Sequence, residues 1–147
     1  MHDAAVAGAL ATAVLNALAA GYGAWRWWSV APSRAFWVLA RAGQAAAIAL
    51  AALAGVLAAT GHEPADGLFW VYALLPVAVA FVAEQFRVAA AQSVLDTRGL
   101  DDAAAVGRLD EPGQQSVVRA ILRRELGVVT IAAAVIAFLA LRAAGTA

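Results

Sequence analysis

Residues 68–87 read LFWVYALLPVAVAFVAEQFR, from Leu68 to Arg87. Sixteen uncharged residues, Leu68 to Ala83, come first, and a carboxylate, Glu84, follows near the end of the run. A helix rises about 1.5 Å per residue, so about 20 residues cross the roughly 30 Å hydrocarbon core of a bilayer. The stretch has that length, and the helix it predicts leaves the hydrocarbon near Arg87. Glu84 then lies about one turn inside, where an ionisable group costs on the order of 2.5–3.5 kcal/mol on insertion scales. An acid at that depth needs partners.

Working outward, three more apolar runs of similar length appear at about 4–28, 35–60 and 126–141, beside the one at about 68–88. None shows the period-two alternation of barrel strands. The chain is 64% hydrophobic and 14% charged, well above the roughly 45–50% apolar content of soluble domains. The expected fold is therefore all-α. It is an integral membrane four-helix bundle, a single domain over 1–147, with a short helical cytoplasmic connection at about 89–125 between spans three and four. The start of the chain, MHDAAVAGAL, lacks the basic region of a secretory signal and reads as a retained first span.

Small residues recur in the first two spans, at Gly8 and then at four-residue spacing at Ala13, Ala17 and Gly21, and likewise at Ala47, Ala51, Gly55 and Ala59. In lipid such faces let helix backbones approach closely, and Asn16 is suited to an interhelical hydrogen bond. Pro76 removes a backbone donor in mid-span and is expected to kink the third helix. In the connection, Asp110 followed by Glu111 and Pro112 is a helix start, from which one helix is predicted to run into span four.

Orientation follows from the arginines, which favour the cytoplasmic side in short loops. All ten basic residues are Arg. The connection GHEPADG has none, and with Arg41 every Arg but Arg142 falls at the opposite side. Both termini are thus expected to face outward. Lys-free, Ala-rich usage is associated with high-GC bacteria, so the expected location is a bacterial inner membrane. The basic helix that leads into span four suits anionic headgroups, although positive-inside placement accounts for its arginines equally well.

Counting about 20 residues from each outer boundary puts Tyr22, Gln44, Glu84 and Glu125 within about one turn of a common layer. Arg41, Arg87, Arg123 and Arg124 lie at or just beyond its edge. This layer is the candidate site for a proton, a cation, a quinone headgroup or a small polar substrate. A structural reading stands beside it, since Glu84 and Arg87 can pair at i,i+3 and Arg can snorkel to the headgroups. The only histidines, His2 and His62, fall on the outward side. With Glu63 they are weak candidates for a metal site, and no metal is assigned.

Several classes lack support. There is no cysteine, so disulfides and thiolate chemistry are excluded. No nucleophile-elbow, zinc-protease or phosphate-loop motif occurs. From Arg87 to Glu125 six Arg balance six acids, which argues against nucleic acid as a partner. No cofactor can be named from these residues. The expected function is a small polytopic membrane protein, a non-enzymatic accessory or structural subunit. Its partners would be the lipid bilayer and either its own copies or a larger membrane complex. The alternative is a small transporter, channel subunit or quinone-site protein that works through the layer around Glu84.

Overall fold

The structure, a computed structural model, describes residues 2–147. Five helices follow one another: α1 (His2–Ser29), α2 (Arg34–Ala59), α3 (Leu68–Thr97), α4 (Ala103–Gly107) and α5 (Glu111–Ala144). α1, α2, α3 and α5 are each long and apolar enough to cross a membrane, and the chain is an all-α four-helix membrane bundle. α1 packs on α2 and α5, and α3 packs on the same two, so the four stand at the corners of a square. Short connections make neighbours antiparallel. The connection Thr60–Gly67 marks one end of the bundle, here the loop end. The extensions of α3 and α5 form a hairpin beyond the other, the hairpin end.

Buried positions follow a strict alternation of four and three residues. On α2 they are Phe36, Ala40, Gly43, Ala47, Leu50, Ala54 and Leu57. On α3, Phe69, Ala73, Pro76, Ala80 and Ala83 continue across Arg87 to Ala90 and Val94. A mean spacing of 3.5 is the signature of nearly parallel helix axes with a shared seam. The constant four-residue spacing expected for the small residues does not mark that seam. Each four-residue step rotates about 40° beyond a full turn, so three steps leave the original face. Ala13 and Ala47 are buried, but Ala17, Gly21, Gly55 and Ala59 turn outward.

Within the spans many seam positions are small, with Phe36, Leu50, Leu57, Phe69, Leu126 and Ile136 filling the space between them, while Val14, Leu18, Phe81, Phe86 and Phe138 point away from it. Such an arrangement would be costly in water and is natural in lipid, where large apolar groups lose nothing by facing outward. Pro76 is buried inside α3, which continues through it and leaves the Tyr72 carbonyl without its helical donor.

The helix ends are specified locally. Ser33, Asp102 and Asp110 cap α2, α4 and α5 by accepting from the backbone N–H of Phe36, Ala105 and Gly113. α1, α2 and α3 all end in the same paired turn, with the closing residue in the left-handed region. Gly61 and Gly99 fill that position after α2 and α3, whereas Val30 fills it after α1 at φ 45°. A β-branched side chain there is strained. At the loop end, the backbone N–H of Asp66 donates to the Thr146 carbonyl at 3.1 Å, tying the C-terminal residues to the α2–α3 connection.

Candidate functional site

Arg41 and Gln44 each stand one residue beyond a seam position of α2, after Ala40 and Gly43, and Glu84 stands one residue beyond Ala83 of α3. On neighbouring antiparallel helices these flanking positions face each other, as charged flanking residues do in coiled coils. Arg87 occupies a seam position itself.

The result is a continuous polar network near the hairpin end. Oε1 of Glu84 accepts from Nη1 of Arg41 at 2.9 Å and from Nε2 of Gln44 at 2.9 Å. Its Oε2 accepts from Nε of Arg87 at 2.8 Å and from Nη2 of Arg41 at 3.3 Å. Arg41 also donates to Oε1 of Gln44 at 2.6 Å. Arg87 extends the network to α5, where its Nη1 lies 3.9 Å from Oε1 of Glu125. The Trp37 ring faces the Arg87 guanidinium, with 5.8 Å from Cζ to the ring centroid, a cation–π contact.

Two Arg and two Glu side chains thus neutralise one another across α2, α3 and α5. Glu84 is 24% exposed and Arg41 52%, so the network is sheltered at its centre and open at one margin. Every oxygen of Glu84 is engaged, and Arg41 and Arg87 meet it from both sides. The grooves along the outer face of α5 and beside Val30 are lined by other residues than Arg41, Gln44, Glu84, Arg87 and Glu125. As arranged, the network binds helices to each other.

Five of the residues expected to share a layer are therefore brought together, and the sixth is not. Tyr22 points to the α1–α2 turn, where its hydroxyl pairs with Ser33 Oγ at 3.0 Å and its ring meets Trp25 edge-on. Depth along a helix can be counted, but α1 and α3 sit on a diagonal of the square. Tyr22 is at the expected height on the wrong corner. Trp37 is the network member that sequence reasoning missed. Its spacing from Arg41 and Gln44, at i, i+4 and i+7, was the available signal.

Among the described residues no three His, Cys, Asp or Glu side chains gather as a metal-binding group, so His2, His62 and Glu63 do not form a ligand set. Nε2 of His62 is buried without a hydrogen-bond partner in the α2–α3 connection.

A second polar node lies deeper. Nδ2 of Asn16 donates to the carbonyls of Thr12 at 2.9 Å and Gly43 at 3.0 Å, the latter across the α1–α2 seam. Thr12 Oγ1 makes a parallel bridge to the Ala46 carbonyl at 3.1 Å. A β-carbon at Gly43 would stand 2.6 Å from Oδ1 of Asn16, so the glycine is what admits the amide.

No protein-family model, curated protein or solved structure matches the chain. What its own residues establish is a small multi-pass membrane protein, four apolar helices held at one end by a self-neutralising ion-pair network.

Proposed function

We propose that the protein is a non-enzymatic accessory or structural subunit of a membrane assembly, in which it packs against its own copies or a larger partner. The location that suits this reading is a bacterial inner membrane, with both termini outward and the α3–α5 hairpin in the cytoplasm. The observation that carries it is the saturation of Glu84. An acid whose oxygens are held by Arg41, Gln44 and Arg87 serves as a clasp between helices. The outward faces supply a surface for neighbours. At Gly21 and Gly55 nothing stands within 4 Å of where a β-carbon would be, and exposed Ala17 and Ala59 lie one turn away. Small-residue faces of this kind favour close helix contact in lipid.

The rival reading, a transporter, channel subunit or quinone-site protein, draws its support from Arg41, which opens the network to its surroundings. Blue-native electrophoresis after mild extraction separates the two. The subunit reading expects migration as an oligomer or with a partner, and a solitary monomer under all mild conditions contradicts it. Glu84→Gln supplies the second arm. As a clasp variant it lowers unfolding stability by about 2 kcal/mol, the scale of a lost charge-assisted hydrogen bond. In proteoliposomes a flux or redox activity abolished by Glu84→Gln, in protein that remains folded, favours the rival.

A further inference from the structure

The outer face of α5 lies between α3 on one side and Trp27 of α1 on the other, and it carries a groove made of adjoining hollows that share walls. Toward the hairpin end the groove has a volume of about 570 Å³, and Trp27, Arg98, Arg123, Arg124, Val128 and Ile131 are among the residues that line it. Deeper in the span it passes, through shared walls at Val128 and Ile131, into an apolar trough of about 440 Å³ along Val82, Phe86 and Val135. A smaller recess lined by Phe86, Ser93, Arg124 and Val128 joins the two.

The chemistry changes along this groove in one direction. Its deep part is wholly apolar and its shallow part holds three guanidinium groups. Counting about 20 residues from Leu141 puts the membrane boundary near Leu122, so Arg123 and Arg124 stand at headgroup height and Arg98 above them. The three ion pairs among the described residues all belong to the Glu84 network, which leaves these arginines without a carboxylate partner. Arg124 donates to the Ser93 hydroxyl, and Arg98 donates to Ser116 Oγ at 2.9 Å. Both contacts hold the side chains in place without cancelling their charge. Trp27 closes the side of the groove against Gly127, where a β-carbon would stand 2.9 Å from Cε2 of the indole.

We infer that this groove is a binding site for one anionic phospholipid. The phosphate sits between Arg123 and Arg124, with Arg98 at the rim, and an acyl chain lies in the trough over Val128, Ile131 and Val135. The charge decides the occupant: a zwitterionic lipid fits the trough equally well but brings its own cation to the arginines. Basic pockets between spans that hold anionic headgroups follow the same logic. This site is separate from the Glu84 network and stands whether or not the protein serves as a subunit.

Native mass spectrometry of the full chain, released from mild detergent with phosphatidylglycerol or phosphatidylcholine added, tests it. The expected result is one retained phosphatidylglycerol per chain, with at least a tenfold preference over phosphatidylcholine. Arg123→Gln with Arg124→Gln should reduce that retention about tenfold, and Val128→Trp, which fills the trough without touching charge, should reduce it as well. Arg108→Gln, an arginine outside the groove, should leave it unchanged. Equal retention of the two lipids overturns the inference, and so does an equal loss in Arg108→Gln. Competition by inorganic phosphate as effective as that by lipid would show a headgroup site without a chain site, and would also overturn it. Because the lipid comparison uses the unaltered protein, the test survives a variant that fails to fold.

Discussion

α5 packs differently in its span and in its extension. Between Gly127 and Ala143 it buries Gly127, Ala133, Ala140 and Ala143, with Val129, Thr130 and Ile136 among them, and turns Ile131 and Phe138 outward. In its extension it buries Val117 against Val94 and Leu95, with Leu100, Val106 and Leu109 around them, and exposes Gln115 and Arg119. The hairpin is packed as a soluble protein is, because burying apolar area from water gains about 25 cal/mol per Å². The spans gain nothing comparable by turning large side chains inward from lipid, so small residues that let backbones approach take many of their buried positions, and large ones such as Phe36, Phe69 and Ile136 fill the gaps between. One helix carries both regimes, and the change falls near Leu126, next to the polar network.

The sharpest way to break the comparison is to exchange its rules. Gly23→Leu should have the largest effect. A side chain there collides with the Thr130 hydroxyl and the Phe36 ring. Overpacking of that kind costs about 3 kcal/mol, read as a lowered midpoint of reversible unfolding in detergent or bicelles. Leu95→Ala in the hairpin should cost about 2–3 kcal/mol by leaving a cavity. Its signature is local: faster proteolysis and hydrogen exchange between Thr97 and Asp110, with the spans unaffected. Phe138→Ala removes the largest side chain of the three and should change stability by less than about 0.5 kcal/mol, since Phe138 faces outward at 61% exposure. A loss as large as that of Leu95→Ala would mean that Phe138 is covered, and would point to a neighbouring chain on that face.

Much of this was legible in residues and some was not, for identifiable reasons. Span length and charge placement predict four helices, and the Asp110–Pro112 start and the Asn16 bridge appear where local chemistry puts them. Depth can be counted because the rise per residue is fixed, and it brought Glu84, Gln44, Arg41, Arg87 and Glu125 to one height. Rotation and corner cannot be counted, which is why Tyr22 shares the height of the network without joining it. The alternation of four and three along Phe36–Leu57 and Phe69–Val94 would have supplied the rotation. The short α4 was missed because five residues carry too little periodicity, although Asp102 is an ordinary cap for it.

The account depends on the spans crossing a bilayer and on the hairpin standing in water on the far side from the α2–α3 connection. The absence of cysteine makes this directly measurable with single substitutions and a membrane-impermeant maleimide. Glu63→Cys, in the α2–α3 connection, should label in intact cells, and Gln115→Cys, on the exposed side of the hairpin, only after the membrane is opened. Labelling of both positions from the same side would contradict the four-span bundle and everything built on it.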